Sequence, residues 1–345
     1  MKGIMKKHKV GVIGAGAIAQ ACHIPGYLAD GNCELSAVAD PEEKCLAMLR
    51  EKGWKFGHEY RDYKEMLKKE KLDVVSICTP NTLHTEMALA CIEAGTDILL
   101  EKPIATSMKD AESIRAAAKK KGTRLMVGFS HRFNELNLSA KKAIDAGGIG
   151  KPYMIRVRFA HTGPWPGWAK TDWFYNPKIA GGGALMDMAV HAFDIAQWFI
   201  GPVSAVSCKT ATLRKNIEVD DNVVAVMEFG DKCMGYVECG WTSPSGFTGI
   251  EIMGDNGVIY SDYAKSKAIM VCGTSTPDGK MEMQNSVLKD GIEKAQWKRE
   301  MEYFTKHLDE TGDFSPDIDA GVDTLRIVLS AYESSRTGRR IEIKK

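Results

Sequence analysis

The charges of this chain nearly cancel: 46 Lys and Arg stand against 45 Asp and Glu, a formal net charge of +1. A nucleic-acid binder normally carries a basic face, so the balance argues against that class. It also offers an anionic membrane surface nothing to attract. No apolar run approaches the roughly 20 residues needed to span a bilayer. The nine cysteines (Cys22, Cys33, Cys45, Cys78, Cys91, Cys208, Cys233, Cys239 and Cys272) contain no C-x-x-C pair. That argues against a zinc ribbon and a disulfide framework. Scattered through mostly apolar stretches, they read as buried thiols in a reducing cytoplasm. Internal repeats and low-complexity linkers are also absent. One stretch imitates a secretory signal: Lys6, Lys7 and Lys9 precede an apolar run over 10–19. Gly11, Gly14 and Gly16 interrupt that run, and they have a better use.

At 345 residues the chain exceeds what one hydrophobic core usually spans, which predicts two domains. From residue 9 to about 129, short apolar runs (10–13, 35–39, 74–78, 98–100, 125–127) alternate with helical spacing over 42–51, 82–94 and 109–121. Such alternation predicts β-α-β units and a parallel sheet covered on both faces. Lys119, Lys120 and Lys121 fall in a last helical turn, where they complement the helix dipole, so the run is a solvated helix end. Beyond Pro152 the pattern changes. Strand-like runs at hairpin spacing (153–159, 205–210, 223–229, 235–240, 249–253, 257–262) predict an antiparallel sheet. A helix over 183–199 interrupts them; a helix over 321–335 and a short strand over 340–343 follow. The expected domains are 1–129 and 130–345, with the last helix packing back on the first.

Gly14-Ala15-Gly16-Ala17-Ile18-Ala19 follows the first strand and opens a helix, matching G-x-G-x-x-G/A. The first glycine allows the tight turn, and the second lets the backbone approach a pyrophosphate. Ala19 keeps helix and sheet close, and the helix N-terminus favours the phosphate charge. Asp40 closes the second strand 24 residues after Gly16, where a carboxylate can accept hydrogen bonds from an adenosine ribose. It would also repel a 2′-phosphate. Pro41 follows, not an Arg that would receive that phosphate, although Lys44 lies one turn further. The expected cofactor is NAD, with NADP less favoured.

Further motifs carry a resemblance. They are Thr79-Pro80-Asn81-Thr82-Leu83-His84, Glu101-Lys102-Pro103, Gly128-Phe129-Ser130-His131-Arg132-Phe133 and Gly181-Gly182-Gly183-Ala184-Leu185-Met186-Asp187-Met188-Ala189-Val190-His191. Gly254-Asp255-Asn256-Gly257 and Ala331-Tyr332-Glu333-Ser334-Ser335-Arg336-Thr337-Gly338 extend the series. Together they resemble the glucose–fructose oxidoreductase, inositol dehydrogenase and MocA family along essentially the whole chain. The resemblance implies an α/β Rossmann domain plus an α+β domain with an open, mostly antiparallel sheet, and a nicotinamide between the two. It also implies that Thr79, Asn81, His84, Glu101 and Lys102 line the cofactor cleft, and that the protein assembles as a homodimer or homotetramer. Ser130-His131 departs from the Asn-Arg that many relatives carry there.

Lys102 follows an apolar strand end. A lysine there is commonly just exposed, but the C-terminal edge of a parallel sheet is where open α/β proteins bind ligands. Partly desolvated, it could hydrogen-bond a reacting oxygen. Asp187, His191 and Asp194 fall on one helical stripe among small and apolar neighbours. A polar stripe on so apolar a helix needs mutual pairing or a ligand. A cation is a third reading, but no further His or Cys stands nearby at ligand spacing, so no metal is expected. With the resemblance, Lys102, Asp187 and His191 are the candidate catalytic residues and Asp194 a structural one. An imidazole titrates near pH ~6.5, which suits a general base around neutrality. Trp165, Trp168, Trp173 and Phe174 could stack on a sugar ring or pack a junction. Trp173, His161 and Arg132 are candidate substrate contacts.

The function expected is hydride transfer between a nicotinamide and a sugar, inositol or related polyol. Two alternatives stand beside it. One is a catalytically silent dinucleotide-bound sensor; the other is an NAD-dependent enzyme that cleaves glycosides by transient oxidation.

Overall fold

The computed structural model describes residues 7–169, 171–244, 247–275 and 281–344. Lys6 and the side chain of Trp168 lie outside the described parts. By packing, the chain separates into two compact units: residues up to Phe129 with Trp297–Leu325, and Ser130–Gln296 with Arg326–Lys345.

In the first unit six strands form one parallel sheet: β1 (His8–Ile13), β2 (Cys33–Ala39), β3 (His58–Tyr60), β4 (Val74–Ile77), β5 (Asp97–Leu100) and β6 (Leu125–Val127). Their order is β3-β2-β1-β4-β5-β6. Val10, Val12, Val74, Val75, Ile77, Ile98, Leu99 and Leu100 are fully buried, which is why these strands read as continuous apolar runs. The order reverses between β1 and β4, and such a reversal opens a crevice at the carboxyl ends of the strands. β3 had no apolar signature, being a three-residue polar edge strand.

The expected boundary at 129/130 recurs in these units, and the segment that packs with the first begins before the last helix. Residues Trp297–Leu325 pack with the first unit. Met301 fills the space a side chain at Gly26 would need, with its Cβ 2.5 Å from that position, and the Val127 amide donates to the Pro316 carbonyl at 3.1 Å. Of the helix Ile318–Thr337, the part up to Leu325 belongs to the first unit and the part from Arg326 to the second.

The second unit carries a nine-stranded sheet: β7 (Pro152–Ala160), β8 (Ala205–Ala211), β9 (Asn222–Glu228), β10 (Met234–Gly240), β11 (Phe247–Gly254), β12 (Gly257–Asp262), β13 (Lys267–Ser275), β14 (Met281–Asp290) and β15 (Ile341–Glu342). The order is β14-β13-β12-β11-β7-β10-β9-β8-β15. Every pairing is antiparallel except β7 with β10. Alternation sorts the side chains. Ile155, Val157, Phe159, Val237, Ile252 and Ile259 are buried on the face covered by helices Glu135–Asp145 and Val190–Ile200. The opposite face presents Val224, Val226, Met234 and Tyr260 to solvent, with ion pairs Arg156–Glu251 (2.8 Å) and Arg158–Glu238 (2.9 Å) among them.

Candidate functional site

In the first unit the glycine-rich turn sits at the reversal of strand order. Gly14 has φ +87°, and a Cβ there would lie 2.7 Å from the Cys78 carbonyl oxygen at the end of β4. Only glycine suits both demands. A Cβ on Gly16 would meet nothing within 4 Å, so the backbone of Gly16, Ala17 and Ile18 borders open space. The following helix takes π spacing over Ala19–His23 and α spacing over Ile24–Ala29. Asp40 is buried; its Oδ2 accepts from the Ala15 amide at 2.7 Å and its Oδ1 from the Glu42 amide at 2.8 Å. The carboxylate is thus fixed against the turn, with lone pairs left for further donors. Among nearby cations, Arg61 is committed to Glu43 at 2.8 Å and to the Pro41 carbonyl. These residues fit a dinucleotide.

The ends of β4 and β5 bring Thr79, Asn81, His84, Glu101 and Lys102 to the same sheet edge. Thr79 directs its hydroxyl to Met87 Sδ at 3.3 Å, Asn81 is buried, and Lys102 is half-buried. His84 is fully buried, with ring nitrogens 2.7 Å from the Pro103 carbonyl and 2.9 Å from the Thr79 carbonyl. It ties two loops together from within the core. Burial holds its pKa below the ordinary value despite those carbonyls.

Sequence reasoning missed what lies under Glu101. His23 Nε2 is 2.9 Å from Glu101 Oε1, and both side chains are withdrawn from solvent. Burial works to raise the Glu101 pKa, but the hydrogen bond and charge of His23, with Lys102, hold it below the usual carboxylate value. Glu300 is also buried; desolvation first, then the Glu101 charge, push its pKa well above the ordinary value. The available signal was His23, a lone ionisable residue in an apolar first helix.

In the second unit the helix bearing the Asp–His–Asp stripe begins with π spacing over Leu185–Ala189 and continues as α over Val190–Ile200. Such π segments recur at functional sites. The glycines before it allow close approach: a Cβ on Gly182 would be 2.2 Å from the Tyr332 hydroxyl, and one on Gly183 would be 2.0 Å from the Asp220 carbonyl. Asp220 accepts from the amides of Gly183 (3.1 Å) and Leu185 (2.7 Å) and from Tyr332 Oη (2.8 Å), anchoring the start of the helix.

The stripe divides by environment. Asp187 is buried and accepts from Trp241 Nε1 at 3.3 Å. His191 is half-buried, with its ring centroid 4.8 Å from that of His131. Asp194 is fully buried and paired two-pronged with Arg132, at 2.9 Å to Nε and 2.6 Å to Nη2. Burial raises the Asp194 pKa while Arg132 pulls it down. Arg132 thus engages Asp194 through Nε and Nη2, while Nη1 takes no part in that pair. His131 stacks on Phe159 at 4.5 Å, so the departure from Asn-Arg places an imidazole beside His191. His161 Nδ1 accepts from the Gly163 amide at 2.8 Å, which assigns the proton of the neutral ring to Nε2. Trp173 stacks on Phe174 at 3.9 Å, and Trp165 is exposed. Trp241, missed in the sequence, is the buried aromatic that reaches Asp187. Among the described residues no group of three or more His, Cys, Asp or Glu is arranged to hold a metal ion.

Comparison with known proteins gives this geometry its context. Residues 8–129 match the oxidoreductase family described as an NAD-binding Rossmann fold, and residues 137–260 match the GFO/IDH/MocA C-terminal domain. D-glucoside 3-dehydrogenase of Escherichia coli is 26% identical over 356 residues, covering 97% of each chain. Myo-inositol 2-dehydrogenase of Thermotoga maritima is 26% identical over 271 residues, 76% of this chain and 78% of its own. A solved levoglucosan dehydrogenase in complex with NADH and levoglucosan superimposes with TM-score 0.87 at 25% identity, covering 99% of this chain and all of the other. Both halves of the sequence, and the architecture that joins strand ends to a glycine-started helix, lead to one conclusion: the chain belongs to the Gfo/Idh/MocA family of NAD-binding oxidoreductases.

Proposed function

We propose that this oxidoreductase acts on the CH–OH group of a sugar, inositol or related polyol, with Lys102, Asp187 and His191 as its catalytic residues. Gly14, Gly16, Ala17, Ile18 and Asp40 would hold NAD, with Thr79, Asn81, Glu101 and Lys102 along its path. Bound NAD supplies hydride exchange. Asp40 disfavours the 2′-phosphate of NADP. His84 contributes by filling the space between the Thr79 and Pro103 carbonyls, to one of which its neutral ring donates.

The observation that carries the catalytic reading is the divided stripe. Asp194 is consumed by Arg132, whereas Asp187 is steered by a neutral indole donor and His191 stays half-buried one turn on. Oxidation of a carbinol carbon requires the hydroxyl proton to leave. His191 takes that proton, Asp187 holds the hydroxyl and favours the imidazolium, and the Lys102 ammonium steadies charge on the oxygen. Arg132, His161 and Trp173 contribute substrate contacts. The names of the relatives, a glucoside dehydrogenase and an inositol dehydrogenase among them, support a polyhydroxylated substrate.

The exposed apolar sheet face supports a homodimer or homotetramer, since an uncovered patch of Val224, Val226, Met234 and Tyr260 favours association. Cysteines that form no disulfide among the described residues support a cytoplasmic location. No described helix is long and apolar enough to cross a membrane.

A screen of myo-inositol, levoglucosan and D-glucosides, following NADH absorbance and released aglycone separately, tests the reaction. NADH formation is expected. Aglycone without net NADH would indicate the glycoside-cleaving alternative, and NAD binding without turnover the sensor. Lys102→Ala should lower kcat by ~10²–10⁴-fold with little change in NAD affinity; the reverse pattern would make Lys102 a cofactor anchor.

A further inference from the structure

Beneath Lys102 runs a hydrogen-bonded chain that the proposed reaction leaves unused. The Tyr27 hydroxyl lies 2.7 Å from Ser76 Oγ on β4. Ser76 Oγ lies 2.9 Å from His23 Nδ1, and His23 Nε2 lies 2.9 Å from Glu101 Oε1 at the end of β5. The second carboxylate oxygen, Glu101 Oε2, accepts from the Lys102 amide at 3.3 Å. Gly128, after β6, leaves the room, because a Cβ there would stand 3.1 Å from Oε2.

Serine, histidine and a carboxylate also make a nucleophilic triad in hydrolases. Here Ser76 is 0% exposed and its hydroxyl is engaged with Tyr27, so no substrate meets it. The chain is buried along its length and ends at Lys102. Buried polar networks with every member satisfied hold their parts in one arrangement.

The groups facing Glu101 are His23, Lys102, His84, Glu300, Cys22 and Cys78. Glu300 is 2% exposed, and its Oε1 has no hydrogen-bond partner among the described residues. Burial and the neighbouring carboxyls push Glu300, Cys22 and Cys78 towards their neutral forms. Among the described residues, Glu101 is therefore the carboxylate set against His23.

Resting on the role assigned to Lys102 above, we propose that His23 is a positioning residue. It clamps Glu101, and Glu101 in turn fixes the Lys102 amide and the direction in which the lysine leaves the sheet edge. Nothing in the reaction passes through His23 itself.

The test compares wild type, His23→Ala, His23→Gln and Lys102→Ala on the best substrate of the screen, with NAD affinity from fluorescence titration and thermal melting alongside. His23→Ala should lower kcat on the order of 10²-fold, the effect of misplacing a group by about an ångström. KM and NAD affinity should stay unchanged. His23→Gln, whose amide can still donate to Glu101, should recover most of the lost kcat. Amide hydrogen exchange at Lys102, which needs no substrate, should speed up in His23→Ala and return to normal in His23→Gln. Unchanged kcat and exchange in His23→Ala, or a lowered melting temperature as its sole effect, would overturn the proposal. If His23→Ala does not fold, Ser76→Ala carries the test through the same two measurements, with the same unchanged outcome overturning it. Normal turnover in Lys102→Ala would mark failure of the role of Lys102. An inactive Lys102→Ala beside a normal His23→Ala would mark failure of this inference alone.

Discussion

In the first domain Glu101 and Glu300 are buried close enough for the charge of one to bear on the other, and His23 serves Glu101, whereas Asp187, Asp194 and Asp220 in the second each have donors of their own. Two carboxyls that share a low-dielectric site cannot both ionise cheaply, so one becomes a store of protons. Asp187, Asp194 and Asp220 are instead served separately, by an indole, a guanidinium, and backbone amides with a tyrosine hydroxyl. The contrast ties Glu300 in the first domain to the charge of a neighbouring carboxylate, and makes the second domain sensitive to loss of a single donor.

The largest effect expected bears on the chemistry of the second domain. His191→Ala should depress kcat by ~10²–10⁴-fold and abolish the acid limb of the oxidation profile. Asp187→Asn should lower kcat less. If His191→Ala instead raised KM and left the acid limb standing, Lys102 would be the base and His191 a binding residue. Next comes stability. Arg132→Ala strands the fully buried Asp194, and breaking a buried pair in this way costs about 3–5 kcal/mol. Denaturant unfolding would measure it, and a loss below about 1 kcal/mol, the level of a surface pair, would show that the pair is not the anchor its two short contacts indicate.

The smallest effect sharpens the contrast directly. Glu300 has a raised pKa in the fold, so its contribution is fully present below the unfolded value, near 4.5, and is lost as pH rises towards the folded one. Each tenfold in proton affinity is worth about 1.4 kcal/mol. Glu300→Gln does not titrate, so it should melt higher than wild type at neutral pH. The gap should close as the pH is brought to about 4. A gap independent of pH would mean that Glu300 is not the proton store.

The parallel sheet was legible because fully buried strands must be apolar, and Val74, Val75 and Ile77 admit no other reading. The Gly14 turn and Asp40 were legible because the backbone conformation and the strand end each leave a residue-type signature. β3, β13 and β14 were not, since strands at or near a sheet edge can be polar; Met283 and Val287 of β14 are themselves exposed. Nor could spacing reveal that Arg132 turns to Asp194, or that Trp241 reaches Asp187, because those pairs join elements distant in sequence. Periodicity identifies which residues share a face, not which partner waits opposite. Of the segment Trp297–Leu325, the last helix was expected to pack on the first domain, and the helix before it was not, for the same reason.

Tyr332 completes the anchor at Gly183 and Asp220, yet it lies 149 residues after Gly183 in the chain. At a synthesis rate of about 5–20 residues per second, that separation corresponds to roughly 7–30 s on the ribosome. Asp220 arrives much sooner, and its carboxylate can hold the Gly183 and Leu185 amides at once. The helix that bears Asp187 and His191 thus draws its anchor from two segments synthesised well apart in time.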